Sequence, residues 1–285
     1  MAVSERPPGA RESPTPVRGT PTSHGVSYEV TDAVAVIELR GRASGNALDA
    51  HLRGALLMAA RRLTTDARRE VRAALITARG RHFCVGQDLK EHARLLKDSP
   101  ATAFANIPEH YNPLVKELHG LPIPLVVAVE GSCVGAGLGL ALCADVRVAA
   151  EGARFAAAFG GLALASDSGV ARALARQLGP SRTAGLMLLG DTFSAREAEQ
   201  WGLVHRVVAD GSAAAEGVAL ARALAAGPTA AHRETKALLR SAATTALPAA
   251  LERESVVQRR LGTTDDHREA VTAFLERRGP VFRGR

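Results

Sequence analysis

The stretch LVVAVEGSCVGAGLGLALCAD, residues 125–145, constrains the fold more than any other part of the chain. Its first five residues are apolar and lie between Pro124 and Gly131. A short uncharged run bounded by turn residues reads as a buried strand. Glycines 131, 135, 137 and 139 follow, and residues 138–144 carry the small and leucine side chains of a buried helix. Asp145 then opens another strand, DVRVAA. Strand, glycine turn, helix and strand form a βαβ-like unit. Glycine lets backbone come close to a ligand, and the first N–H groups of a helix have no intrahelical acceptor. The turn is therefore read as half of an oxyanion-binding site.

A similar unit lies upstream. RAALIT, residues 72–77, reads as a core strand, and the loop after it holds Gly80 and Gly86 before a helix that begins near Asp88. Before that, SYEVTDAVAVIELRG alternates as a hairpin broken at Thr31-Asp32. A loop over 40–46 leads to a helix over 47–64, with Asn46 or Asp49 at its start. Residues 99–120, with prolines 100, 108 and 113, read as an irregular cover over a cleft.

Downstream, residues 155–159 read as extended, and Gly160, Gly161 and Ser166-Asp167-Ser168-Gly169 signal turns. Helices are expected over 170–178 and 182–189. SAREAEQWG carries a capping box, Ser194 with Glu197 three residues on. LVHRVVAD reads as a strand, and helices dominate from residue 213. The expected organisation is a disordered tail over 1–24, an α/β core over 25–227 and a helical region over 228–285. The tail lacks the apolar segment of a secretory signal.

Composition narrows the function. Only 4% of residues are aromatic, so Ala, Val and Leu must fill the core. No uncharged apolar run is long enough to span a bilayer, which points to a soluble protein, and the few, odd-numbered cysteines point to a cytoplasmic one. The net charge of +7 comes from scattered, mainly arginine residues, which read as solvated helix faces and argue against a nucleic-acid partner. Cys84, Cys133 and Cys143 lie in apolar or glycine-rich contexts and read as reduced core thiols. There is no HExxH or CxxC, so no metal is expected, and no GxxxxGK[ST] phosphate loop. GxGxG at 135–139 is not the dinucleotide GxGxxG, and there is no GxSxG nucleophile elbow.

Two strand–glycine–helix turns remain, at Val85-Gly86-Gln87 and Gly135-Ala136-Gly137. Their N–H groups can converge on one oxygen. Such a pair suits a thioester enolate, in which charge develops on the carbonyl oxygen as an α-proton leaves.

HFCVGQDL, PLVVAVEGSCVGAGLGLALCADVRVAAEGARF, LGDTFSAREAEQWGLVHRVV and the ending FLERRGPVFRGR resemble the signature segments of the crotonase superfamily, the enoyl-CoA hydratases and isomerases. The resemblance runs from about Ser27 to Arg285. It implies a spiral of repeated ββα units with a C-terminal helical region that builds trimers, often paired into hexamers. It implies acyl-CoA thioester substrates, with coenzyme A as part of the substrate and no separate cofactor. It places the oxyanion hole at the backbone N–H groups of Gln87 and Ala136. Asn46, Ala47 and Leu48 match the NAL segment beside the CoA-binding loop. The usual RPxxxNAL is RGRASGNAL here, which makes Arg40 and Arg42 candidates for the CoA phosphates, with Lys236 a weaker one.

The departures from the family pattern bear on the reaction. The two catalytic glutamates of family hydratases are replaced by Gly139 and Phe159. Hydration needs groups that activate water and deliver a proton. ALASDSG instead resembles the segment in which certain isomerases and a dehalogenase of the family keep an aspartate, which falls on Asp167. From the residues alone, Ser-Asp-Ser-Gly also suits an Asx-turn or N-cap for the following helix. A free aspartate is a weak base, with a pKa of about 3.9, which apolar neighbours such as Phe159 and Leu164 would raise by excluding water. The GAG turn, the DSG segment and the LGDTFSAREAEQWGLV run are most similar to the branch that isomerises the ring epoxide of phenylacetyl-CoA. The expectation is an acyl-CoA isomerase. The alternatives are a hydratase with relocated acid–base groups and a catalytically silent CoA-binding protein.

Overall fold

The computed structural model describes residues 25–41 and 45–285, so the expected tail over 1–24 lies outside the described residues. The chain opens with β1 (Gly25–Thr31) and β2 (Val34–Arg40), an antiparallel hairpin. Its turn residues, Asp32 and Ala33, both have positive φ, the combination that matches the twist of paired strands. Next come α1 (Ala50–Asp66), β3 (Ala73–Ala78) and α2 (Leu89–Asp98). Asp49 caps α1 by accepting from the Leu52 N–H at 2.7 Å, and Asp88 caps α2 by accepting from the Lys90 and Glu91 N–H groups at 2.8 and 2.9 Å.

The stretch 99–120 is more regular than its prolines suggest. It forms a 3-10 turn (Pro100–Thr102), a π-turn (Ile107–Tyr111) and α3 (Asn112–Gly120). Proline sits at the start of each, where its missing N–H costs nothing. Then follow β4 (Leu125–Val129), β5 (Ser132–Val134), α4 (Ala136–Leu142), β6 (Val146–Ala150) and β7 (Arg154–Ala156). After these come α5 (Val170–Leu178), α6 (Pro180–Leu189), β8 (Phe193–Ser194), α7 (Ala195–Gln200) and β9 (Arg206–Val208). The capping box at Ser194 and Glu197 forms as expected. Four helices end the chain: α8 (Ala213–Ala226), α9 (Thr229–Ala242), α10 (Leu247–Leu261) and α11 (Asp265–Leu275).

Six strands make the main sheet in the order β1-β2-β3-β4-β6-β9, parallel except for the first pair. Strand alternation explains how an aromatic-poor core fills both faces. Ala73, Leu75, Val126, Ala128, Val148 and Ala150 pack in one cluster with Ala213, Ala221 and Ala225 of α8. Ala74, Ile76, Leu125, Val127 and Val129 face the other way, against α1 and α4. Burying one Leu or Val stabilises by about 1.5–3 kcal/mol. A second sheet, β5-β7-β8, is too short to show in the sequence pattern. It places β5 beside the Cys84 loop through an isolated backbone β-bridge between residues 84 and 133, and Phe155 stacks on Phe193 with ring centroids 5.4 Å apart.

Candidate active site

The two glycine turns meet. Gly86 has φ +88° and Gly135 φ +57°, backbone that a side chain resists. A β-carbon on Gly86 would lie 3.0 Å from the Val134 carbonyl oxygen and 3.5 Å from the Ala136 nitrogen, and one on Gly135 would lie 4.0 Å from the Gly86 α-carbon. Leu48 braces the first turn: its N–H donates to the Gly86 carbonyl at 2.8 Å, and its carbonyl accepts from the Asp88 N–H at 3.2 Å. This leaves the N–H of Gln87 between them without an acceptor. Ala136 begins α4, so its N–H has none within the helix. Among the described residues neither N–H donates a hydrogen bond. Two unpaired donors on touching turns can hold an oxygen that gains negative charge. The Gln87 side chain instead meets His92 Nδ1 at 3.1 Å.

One helical turn beyond Ala136, the chain closes on itself. A β-carbon on Gly139 would stand 2.5 Å from Ser168 Cβ and 2.9 Å from the Ser168 carbonyl oxygen. The segment holding Asp167 thus lies directly against α4, through left-handed backbone at Ser168 and Gly169. Ser168 Oγ donates to Asp167 Oδ1 at 2.8 Å. The Asp167 carboxylate does not cap α5: the N-cap is Gly169, with no side-chain bond, and only the Asp167 backbone carbonyl accepts from Val170, at 3.1 Å. The carboxylate is half-buried. Desolvation pushes its pKa above the ordinary aspartate value, and the Ser168 hydroxyl opposes the rise. Phe159 is buried in the core, whereas Leu164 is 38% exposed in the single chain.

Tyr111, at the end of the π-turn, is not marked by any motif in the sequence. It is buried, its hydroxyl has no partner among the described residues, and the Arg53 guanidinium lies 6.0 Å from its ring centroid. Burial pushes its phenol up; the Arg53 guanidinium opposes the rise, and the Asp167 charge adds to it. A π-turn often marks a functional segment.

The candidate CoA loop is largely framework. Asn46 is buried, accepts from Gly41 N–H at 2.7 Å and donates to the carbonyls of Arg79 and His82 at 3.1 and 2.8 Å. Its side chain ties its own loop to the loop after β3. Leu48 is equally buried, and Ala47 accepts from the Asp49 N–H at 3.0 Å. Arg40 is paired with Glu38, and Arg42 lies outside the described residues. Lys236 is buried against Asp145 and the Ile123 carbonyl, so it does not reach out to a CoA phosphate. The three cysteines are free and buried as expected, and desolvation pushes the Cys84 and Cys143 thiols up to about 12.

Residues 29–285 match the family described as enoyl-CoA hydratase/isomerase. The chain belongs to that family. A Rhodobacter capsulatus relative named "Probable enoyl-CoA hydratase" is 38% identical over 92% of this chain and 99% of its own. The 1,2-epoxyphenylacetyl-CoA isomerase of Escherichia coli is 41% identical over 75% of this chain and 82% of its own. A crystal structure of an enoyl-CoA hydratase/isomerase family protein from Mycobacterium abscessus superposes with a TM-score of 0.89 at 48% identity, covering 92% of this chain and all of that one. The α/β crotonase fold, with helices at its C-terminus, is that of the family, and the protein is one of its enzymes. Among the described residues no helix is long and apolar enough to cross a membrane.

Proposed function

We propose that the protein is an acyl-CoA isomerase in which Asp167 moves a proton while the N–H groups of Gln87 and Ala136 hold the thioester oxygen. The observation that carries this is the contact between Gly139 and the Asp167–Gly169 segment. It fills the space a hydratase glutamate would need and leaves Asp167, not engaged in capping, as the carboxylate beside α4. With a 3-enoyl thioester, the carboxylate takes a proton from C2. The electrons move onto the thioester oxygen, and the same proton is returned at C4 as the carbonyl re-forms. One carboxylate suffices, because no water is added. A ring-epoxide thioester is a second candidate substrate, suggested by the identity to the E. coli isomerase.

Coenzyme A enters as part of the substrate, and no other cofactor takes part. A homotrimer or hexamer in the cytoplasm is proposed with this reading. Leu188 and Leu189 on α6 and Phe274 and Leu275 on α11 are all more than 70% exposed in the single chain, apolar side chains that assembly would cover.

Incubation with 3-enoyl-CoA and with the epoxide thioester tests the proposal, with Asp167→Asn as control. Product from the wild type and a loss of about 10²-fold or more in kcat for Asp167→Asn are expected. Equal rates in both proteins would remove Asp167 from the mechanism. Hydration of crotonyl-CoA would favour a hydratase, and thioester binding without any product would favour the silent binder.

A further inference from the structure

A cavity of about 370 Å³ opens where α3, α4, α5 and α9 meet. Neither Gln87 nor Ala136 lines it. It lies toward the carboxyl end of α4, where Leu142 to Asp145 form one wall. Its charge is one-sided: Arg147, Arg172, Arg176, Lys236 and Arg240 line it against a single carboxylate, Asp145.

Partnering within the chain accounts for only part of this charge. Lys236 takes Asp145 as its partner. Arg147 donates to the carbonyls of Leu203 and Ala144 and to Gln177 Oε1. Arg240 donates to the carbonyls of Gly120 and Leu121. Arg172 and Arg176 have no acceptor among the described residues. They lie four apart on α5, so their like charges share one helix face. Elsewhere on a surface such a pair is simply solvated. Here it rims a recess backed by three more cations, and a charged cleft with low-dielectric walls focuses its field. His119, which also lines the cavity, feels that field: burial and the charges of Arg240, Arg172, Lys236 and Arg176 all push its pKa down.

We propose that this cavity is a second site, binding the phosphate or carboxylate group of a small free anion, and that its occupant bears on the loop holding Asp167. Guanidinium forks suit both groups, which accept two parallel hydrogen bonds. The volume exceeds that of inorganic phosphate and suits a phosphorylated metabolite or a di- or tricarboxylate. The link to the loop is direct. Gly139, Ser168 and Gly169 line this cavity, and Ser168 also donates to the Asp167 carboxylate. The binding claim stands on the cavity alone, and the coupling rests on the proposed role of Asp167.

Calorimetric titration of the full chain with inorganic phosphate, and separately with citrate, at constant ionic strength tests the site. Saturable binding is expected, weakened at least tenfold in Arg172→Ala/Arg176→Ala and retained in Asp167→Asn. The double substitution is at exposed positions, and circular dichroism and sedimentation check that fold and assembly survive. No saturable binding in the wild type would overturn the site. So would equal affinity in the double variant, which would mean an adventitious ion only. Altered sedimentation of the double variant, with no anion binding by the wild type, would assign the arginines to a contact between copies and also overturn it. For the coupling, the anion should change kcat/KM for 3-enoyl-CoA in the wild type and not in the double variant. Inhibition that persists in the double variant is competition at the thioester site and overturns the coupling. The role of Asp167 is measured separately, by Asp167→Asn without anion.

Discussion

Gly139 and Ser168 share one space: a β-carbon on the glycine would stand 2.5 Å from that of the serine. The glycine is therefore required by the loop that carries Asp167, not by the helix that contains it. A glutamate at 139 needs Ser168 to move, and Ser168 is backbone-constrained at φ +49°. Gly139→Glu is expected to destabilise by about 1–3 kcal/mol, the usual cost of overpacking, and to give no crotonyl-CoA hydratase activity. Denaturant midpoints and a hydration assay check both. A stable Gly139→Glu protein that hydrates crotonyl-CoA would mean the loop yields easily and the absent glutamate does not decide the reaction.

The pH profile of isomerisation should expose the surroundings of Asp167. The acting form is the carboxylate, and burial raises its pKa. Activity should therefore rise with pH through an acid limb that lies above the ordinary aspartate range. Removing the Ser168 hydroxyl, which stabilises the charged form, should push that limb further up, so Ser168→Ala should lose activity first at acid pH. A limb at or below the ordinary aspartate pKa would contradict the assignment.

Much of this was legible in the residues because each feature has a local cause. The apolar runs gave β3 and β4 within one residue, and the turns at Gly86 and Gly135 follow from glycines at positions of positive φ. The three-stranded sheet was not legible, because β5, β7 and β8 have two or three residues each, too few for a period. The packing of Ser168 on Gly139 and the role of Asn46 as a tie between loops are long-range contacts that no spacing encodes. The cationic cavity was hidden for the same reason. Its arginines come from separate segments and look scattered until the fold gathers them.

Tyr111, whose phenol feels the Asp167 charge, offers a test of the segment expected to cover the site. Its hydroxyl is buried without a partner among the described residues, and an unmade buried hydrogen bond is costly. Tyr111→Phe should leave thermal stability unchanged or raise it slightly. If the hydroxyl meets the acyl group, the same change should raise KM for oxygen-bearing acyl thioesters and spare plain 3-enoyl-CoA. A fall of about 1 kcal/mol or more in stability would show that the hydroxyl is already satisfied in the folded chain.

The C-terminal segment should loosen in acid. Glu269 on α11 pairs with Arg278 and accepts from the Val281 N–H at 2.8 Å, which holds its pKa down to about 2 against an ordinary 4.5. A depressed carboxylate stabilises the fold above its unfolded pKa, and that contribution is lost as pH falls through the folded value. Thermal midpoints of wild type and Glu269→Gln should therefore differ by a constant amount above about pH 5 and converge between about 4.5 and 2. The pair is exposed, so the difference should be small and should shrink with added salt. A gap that persists at pH 2 would mean that Glu269 acts through packing rather than charge.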